Sequence, residues 1–426
     1  MTAETPTIGI AGMTHLGINT GAAFAERGFP TVWYSPDADT VARVEAGDLP
    51  VVEPDLGDYF ARNRERIQVS GDLSALAACD IVYIATDVPT DDHGQSDLSG
   101  IEALIADVGP AMNDEAVLVV LCQVPPGFTR GLDFPKDRLI YQVEVLIFGR
   151  AVERAMYPER YIVGQADPSQ PLPPAYETLL KAFDDPPILP MRYESAELAK
   201  IAINCCLVAL VSTANTLAEL CEGIGADWSE IAPALKLDRR IGPYSYLAPG
   251  LGIAGGNLER DLATVVRLAD GVGSDVGVVE AWIANSAHRK GWAYRELKRS
   301  LYADDPDATL GILGLAYKQD THSTKNSPSL ALLEKVKDRP VTVYDPVVKG
   351  CVAPFARDAE SALDACEGSD AVAIMTPWTE FKELDPKAIA QAMRGRILLD
   401  PFGVLSADAA RAAGLDYRTL GVGPTG

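Results

Sequence analysis

Lys200 and Asn204 stand four residues apart, at the start of and within the otherwise apolar stretch Lys200-Ile-Ala-Ile-Asn-Cys-Cys-Leu-Val208. On a helix that spacing puts both side chains on one face, an arrangement suited to joint contact with a sugar hydroxyl or a single water. A solvated lysine beside a helix-interior asparagine is the bland alternative, but asparagine lowers helix propensity and needs partners once buried. Near the amino end, Gly12-Met13-Thr14-His15-Leu16-Gly17 follows the β-prone run Thr7-Ile-Gly-Ile-Ala11 and precedes an alanine-rich stretch closed by Gly28. A strand, a glycine turn and a helix in that order let backbone approach a pyrophosphate at a helix amino terminus, for which the usual pattern is G-x-G-x-x-G. Here Thr14 occupies the middle glycine position, and its Cβ is expected to crowd the phosphate. His15 is placed either to donate toward a phosphate or to pack as an ordinary histidine. The acid that would take the ribose hydroxyls is expected about 20 residues on, where the chain reads Tyr34-Ser35-Pro36-Asp37. Ser35 holds the acidic position with no arginine beside it, which favours NAD as cofactor and leaves NADP open.

The elements that must carry these residues follow from hydrophobic patterning. Short apolar runs at Pro30 to Tyr34, Asp80 to Thr86 and Ala116 to Cys122 alternate with helical segments such as Leu98 to Val108, which predicts a doubly wound parallel sheet. From Glu194 to Gly223 no proline or interior glycine interrupts the pattern, predicting a spine helix of about 30 residues, ~45 Å long. Its apolar content on several faces predicts packing against a neighbouring domain and a second subunit, hence a homodimer. After the polar stretch Ser300 to Asp307 the alternation restarts at Thr309 to Ala316, with further strands at Val341 to Tyr344, Ala371 to Met375 and Ile397 to Leu399. The fold class is therefore α/β: two Rossmann-type doubly wound domains joined by a helical central domain with a long spine helix. Expected boundaries are 1–190 for a dinucleotide-binding domain, 191–300 for the central dimerisation domain and 301–426 for a carboxyl-terminal nucleotide-binding domain.

Composition narrows the function classes. The 426 residues include 37 Lys+Arg against 60 Asp+Glu, a formal net charge of −23. A surface that negative repels phosphate backbones and anionic lipid, which argues against nucleic acid and membrane as partners. The 7 cysteines (Cys79, Cys122, Cys205, Cys206, Cys221, Cys351, Cys366) show no CxxC pair and read as buried reduced thiols. His93, His288 and His322 show no ligand spacing, so no metal is expected. The start, Met1-Thr-Ala-Glu-Thr-Pro, lacks a basic and apolar leader, no run approaches ~18 uninterrupted apolar residues, and a cytoplasmic location is expected.

Several separated segments together resemble the UDP-glucose/GDP-mannose dehydrogenase family of nucleotide-sugar dehydrogenases. They are Ala85-Thr86 with Asp97-Leu98, Val124-Pro125-Pro126-Gly127, Glu197-Leu-Ala-Lys200 with Asn204, Leu220-Cys-Glu-Gly-Ile-Gly225, Gly314-Leu-Ala-Tyr-Lys318, Ser327-Pro328, Tyr344-Asp345-Pro346 and Trp378-Thr-Glu-Phe381. The resemblance covers nearly the whole chain and implies a catalytic centre built from a glycine-rich loop, the central helix and a glutamate-bearing loop, with the ligand in the cleft between the two α/β domains. It assigns Lys200, Asn204, Asp261, Glu144 and the position of Asn257 to catalysis. Gly12, Thr14, His15, Leu16, Gly17, Ser35, Thr86, Gln123 and Lys318 go to the cofactor. Leu146, Phe148, Arg240, Tyr246, Gly250, Gly252, Gly255 and Lys325 go to the substrate. Lys318, Lys325 and Arg240 are the cations implied to offset a diphosphate, with Arg240 in a loop that in the family reaches across a dimer.

Departures from the family pattern shape the expected chemistry. In the glycine-rich stretch Pro249 to Asp261, Asn257 stands where the family has its nucleophilic cysteine, and Arg260 replaces a lysine. Asn257 also reads as an N-cap for the helix that follows. In the segment Gln142 to Ala151, Glu144 is kept while Val143 and Phe148 replace the family's proline and second glutamate, and Gln123 replaces a threonine. A second oxidation through a thiohemiacetal and thioester requires a thiolate, which an amide cannot replace. One hydride transfer does not. The expected activity is thus NAD-dependent oxidation of a CH–OH group of a nucleotide or nucleotide-sugar, stopping after one step or returning the hydride as a redox-neutral epimerase on a tightly held NAD. A four-electron UDP-sugar 6-dehydrogenase working without a thioester and a catalytically silent nucleotide-binding paralogue are the competing readings.

Overall fold

The computed structural model describes residues 5–89, 91, 95–349 and 352–423, so His93 and Cys351 lie outside the described residues. The chain divides into two compact units, Met1–Ile203 and Asn204–Gly426.

Unit 1 is built on eight strands: β1 (Ile8–Ala11), β2 (Thr31–Tyr34), β3 (Ile67–Ser70), β4 (Ile81–Ile84), β5 (Val117–Val120), β6 (Leu139–Gln142), β7 (Tyr161–Gln165) and β8 (Ile188–Arg192). Their spatial order is β3-β2-β1-β4-β5-β6-β7-β8. The first six are parallel and follow the dinucleotide-fold order, with the switch point between β1 and β4. The last pair departs from the all-parallel expectation: β7 runs antiparallel to β6, and β8 pairs parallel with β7. β1, β2, β4 and β5 are buried at every residue because helices cover both faces. Alternate side chains feed two cores, Ile8, Ile10, Trp33 and Tyr83 on one face and Ala11, Val32, Val82 and Ile84 on the other.

The first helix, His15–Glu26, packs so closely on this sheet that two of its positions admit no side chain. A Cβ at Gly17 would lie 1.9 Å from the Gly12 carbonyl oxygen, and one at Gly21 would lie 2.6 Å from Trp33 Nε1. Gly12 itself has φ +116°, a left-handed conformation that favours glycine.

The long helix runs over Tyr193–Ile224, 32 residues, as the unbroken pattern predicted. By length and composition it is apolar enough to cross a membrane. Here, however, its polar side chains are engaged with protein. Glu197, fully buried, accepts from the Gly127 N–H at 2.6 Å and the Thr129 N–H at 2.9 Å. Burial pushes this carboxyl above the usual range despite those donors.

Unit 2 contains the remainder of that helix, helices Trp228–Leu237, Asn257–Val272, Gly277–Lys290 and Trp292–Ser300, and a second sheet. Its strands are β9 (Leu310–Leu313), β10 (Val341–Tyr344), β11 (Arg357–Asp358), β12 (Ala371–Ile374), β13 (Ile397–Leu399) and β14 (Asp416–Arg418). All pairs are parallel, in the order β11-β10-β9-β12-β13-β14. This repeats the arrangement of unit 1.

The expectation of uniformly buried thiols needs correction, since Cys206 is exposed and Cys205 half-buried, while Cys79, Cys122, Cys221 and Cys366 are buried. Desolvation pushes Cys79, Cys122 and Cys366 up to about 12 and Cys205 to about 11. Thiols held that high are protonated at neutral pH and poor nucleophiles.

At the end of β10, Asp345 accepts from the N–H groups of Leu315 (2.7 Å), Ala316 (3.1 Å), Val347 (2.9 Å) and Val348 (2.8 Å), and from Trp378 Nε1 (3.0 Å). Burial alone would raise this carboxyl, but the backbone donors hold it below the usual carboxylate range. Asp345→Asn strands buried donors and should cost roughly 2–4 kcal/mol at pH 7. A depressed folded-state value means the contribution is full above the unfolded value of about 3.9 and is lost as pH falls through the lower folded value. Urea unfolding should therefore show the gap between wild type and Asp345→Asn narrowing below about pH 4; a gap as wide at pH 3 as at pH 7 would exclude the carboxylate charge as its source.

Candidate active site

In unit 1 the dinucleotide turn is formed by the end of β1 and the start of the first helix. Thr14 is the N-cap position of that helix, yet its hydroxyl donates to the Ala85 carbonyl at 2.8 Å instead of capping. The Cβ in the middle glycine position is thus accommodated by turning the side chain toward β4. No side chain among the described residues caps the helix, and its first turn carries no acid. This leaves the helix dipole and amide hydrogens to an anion. The close approach of Gly12 to Ala85 and of Gly17 to Gly12 gives the tight cradle a pyrophosphate requires. Ser35, buried at the end of β2, accepts from the Asp37 N–H at 3.2 Å. Asp37 is occupied, its carboxylate capping helix Ala38–Glu45 through the Thr40 N–H at 3.1 Å. These residues fit a dinucleotide. Thr86 and Gln123 lie half-buried just beyond β4 and β5, where a doubly wound fold presents its ligand.

His15 Nε2 pairs with Glu53 at 2.7 Å, and the Phe148 ring lies 4.2 Å from the imidazole, centroid to centroid. Glu144, on the loop after β6, is in an ion pair with Lys200 at 2.6 Å and also accepts from the Leu146 N–H at 2.9 Å. Lys200 Nζ further donates to the Glu144 carbonyl at 3.3 Å. Lys200 is therefore a held group and not a solvated one. Leu16, Glu144 and Leu146 line one small cavity of about 30 Å³.

In unit 2, Asn204 Nδ2 donates to Asp261 at 2.5 Å, and Asp261, 1% exposed, also faces Arg260 Nε at 3.3 Å. Lys200 and Asn204 are one turn apart on the long helix, as the spacing required. The glycine-rich loop is pinned from beneath. Asn215 of the long helix accepts from the Gly250 N–H at 2.7 Å, and Ser286 Oγ accepts from the Ile253 N–H at 2.8 Å. A Cβ at Gly252 would meet the Ser286 carbonyl at 2.4 Å, and one at Gly255 would meet the Tyr317 ring at 2.7 Å. Lys325 lies along this loop: its Cε is 3.0 Å from where a Gly256 Cβ would be, and its carbonyl accepts from the Gly255 N–H at 3.0 Å. Glu259 joins the neighbouring segments, taking Lys290 Nζ at 2.8 Å and Asn326 Nδ2.

The N-cap expectation for Asn257 is overturned. Gly256, at φ +101°, holds that position, while Asn257 is the first helical residue, exposed, and no side chain among the described residues caps the helix. Two glycines with positive φ set the entry angle and push Asn257 one place into the helix, where its amide cannot fold back onto the first turn. Half-buried Lys318 lies 5.8 Å over the Tyr317 ring. Arg240 is exposed and held by Asp238 at 2.7 Å, and Tyr246 is exposed nearby in sequence. Sequence reading missed Glu53, Asn215 and Ser286. Only Glu53 left a trace, as a lone acid in the apolar, proline-flanked run Leu49-Pro-Val-Val-Glu-Pro54.

A doubly wound sheet with an open glycine turn at its switch point, followed by a second sheet of the same order, defines a two-nucleotide protein of the dehydrogenase type. Residues 6–183 match the NAD binding domain of the UDP-glucose/GDP-mannose dehydrogenase family, residues 194–287 its central domain and residues 311–407 its UDP binding domain. The chain belongs to this family, and its cofactor is NAD. It is 28% identical over 432 residues to the UDP-glucose 6-dehydrogenase TuaD of Bacillus subtilis (strain 168), covering 97% of this chain and 93% of that protein. It is 29% identical over 443 residues to the UDP-glucose 6-dehydrogenase AglM of Haloferax volcanii, covering 97% and 99%. A UDP-glucose dehydrogenase structure from Pyrobaculum islandicum superposes with a TM-score of 0.83 at 25% identity, covering 98% of each chain.

Replacing Asn204 by Leu removes a hydrogen-bond donor from the buried Asp261 carboxylate. Asn204→Leu should lower stability by about 1–3 kcal/mol in urea unfolding, whereas the exposed Asn257→Ala should change it by under about 0.5 kcal/mol; equal effects would show that Asp261 does not depend on the amide.

Proposed function

We propose that this protein is an NAD-dependent oxidoreductase that oxidises a CH–OH group of a nucleotide-sugar in a single or transient step, without the acyl-enzyme half of the family's reaction. The observation that carries the reading is the pairing of retained groups with a missing nucleophile. Lys200–Glu144 and Asn204–Asp261 are formed at 2.6 Å and 2.5 Å, while Asn257, aligned with the nucleophilic position by resemblance, is an exposed amide at a helix start. Among the described cysteines none lies on the glycine-rich loop, and the buried ones are held as neutral thiols.

NAD supplies the hydride acceptor when bound. The chain's own task is then to take the hydroxyl proton and to hold the reacting carbon in place. Glu144, fixed by Lys200 and the Leu146 N–H, is a carboxylate ready to accept that proton directly or through water, with Lys200 steadying the oxygen that loses it. In unit 2, Asn204 of the long helix and Asp261 of helix Asn257–Val272 form a second polar pair, offering a donor and an acceptor to a hydroxyl or a water. Lys318, Lys325 and Arg240 remain the cations proposed for the diphosphate, and Thr86, Gln123, Phe148, Tyr246, Gly250, Gly252 and Gly255 the remaining contacts. The proposed division is 1–190, 191–300 and 301–426. Exposed Leu217, Leu220 and Ile224 on the long helix support the homodimer.

The deciding assay follows NADH and product mass over a UDP- and GDP-sugar panel. The reading expects a product two hydrogens lighter with one NADH, or an isomer with none; an acid-level product with two NADH would overturn it in favour of the four-electron route. Lys200→Met should lower turnover by about 10²-fold or more, whereas Asn257→Ala should stay within a few-fold of wild type. No turnover and no NAD on denaturing release would instead support the silent paralogue.

A further inference from the structure

Glu53 is the buried group that none of the chemistry above uses. Its carboxylate is 1% exposed and collects three donors from two distant segments. Oε1 takes His15 Nε2 at 2.7 Å and the Gly149 N–H at 2.9 Å, and Oε2 takes the Ala151 N–H at 3.1 Å. A carboxylate removed from water to this extent persists only while its donors stay in place. The donors are not equivalent. His15 is the first residue of the helix that opens the dinucleotide turn, whereas Gly149 and Ala151 end the loop that follows β6 and carries Glu144.

One further contact ties the same two segments: the Phe148 ring lies on the His15 imidazole at 4.2 Å, centroid to centroid. The other charged groups of the loop are engaged elsewhere, Glu144 by Lys200 and Arg150 by Glu153. His15 and Glu53 thus form a polar connection between the turn and the loop. A ligand on the turn that touched the imidazole would act, through it, on the carboxylate that holds the loop.

We propose that Glu53 is a positioning residue that couples NAD occupancy of the turn to the order of the loop bearing Glu144 and Phe148. The inference stands on the cofactor assignment and not on which sugar reacts or how far oxidation proceeds. By reciprocity, a loop held in place tightens the turn for the cofactor.

The test combines calorimetric NAD titration with hydrogen exchange at residues 147–151 in wild type, Glu53→Gln and His15→Phe. In wild type, NAD should slow exchange of the Gly149 and Ala151 amides by tenfold or more. Glu53→Gln should speed that exchange in the absence of NAD and weaken NAD binding about tenfold. His15→Phe keeps the carboxylate on both amides, so their protection without NAD should persist while the response to NAD disappears. A purely structural Glu53 would loosen the loop and leave NAD affinity unchanged. The proposal is overturned if Glu53→Gln binds NAD as wild type does, or if His15→Phe transmits the NAD response. Should Glu53→Gln fail to fold, the His15→Phe response decides alone. Wild type that binds no NAD would overturn the cofactor assignment, and this coupling with it.

Discussion

The structure depends on one constraint: a single helix of 32 residues must find partners for the polar side chains it buries. Glu197 is satisfied by two backbone N–H groups of the loop after β5, and Lys200 by Glu144. In the second unit Asn204 reaches Asp261, Asn215 takes the Gly250 N–H, and Glu222 takes the Gly421 N–H at 2.9 Å. Each partner is the tip of a loop or the start of a helix. Burying these groups unpaired would cost several kcal/mol together. The helix therefore dictates where each loop ends, and the loops that end there are those whose residue types suggested chemistry.

The fold was legible because its strands are short, fully apolar and separated by helices of ordinary length. Runs such as Val341–Tyr344 and Ile397–Leu399 are strands with the bounds that patterning gave them. The reversal of β7 escaped notice, since strand direction is set by tertiary pairing and a buried strand reads the same either way. The site was legible only where two residues share a helix. The i, i+4 relation of Lys200 and Asn204 is a local property, but their partners lie 56 and 57 residues away. Asn257 shows the limit in the other direction: its cap-like composition was real, yet the positive φ of Gly256 shifted the helix start by one residue. Glu53 left only a lone acid in an apolar run, because its role exists only once three segments meet.

Unit 1 also shows how a degraded motif retains its geometry. Thr14 brings a Cβ to a place that normally has none, and the hydroxyl on that same side chain anchors it to Ala85. The glycines that remain, Gly12 and Gly17, are those at which backbone meets backbone, so no substitution there could be absorbed by a rotamer. In this chain the change falls at the position whose side chain can turn aside, and the glycines stay where backbone packs on backbone.

The state of the thiols has a consequence for the conditions under which such a protein operates. Four of the described cysteines are buried, exposed Cys206 and half-buried Cys205 lie on the long helix, and burial pushes the Cys205 thiol, which packs in one cluster with Ile253, up to about 11. An oxidoreductase that relies on a catalytic thiolate is disabled by peroxides and alkylating agents at the same atom that makes it reactive. Hydride chemistry resting on lysine, carboxylate and amide groups has no such vulnerable atom. If the oxidation proceeds as proposed above, on nitrogen and oxygen groups in place of sulfur, the redox function of this chain would survive alkylating agents and peroxides that silence a thiolate enzyme.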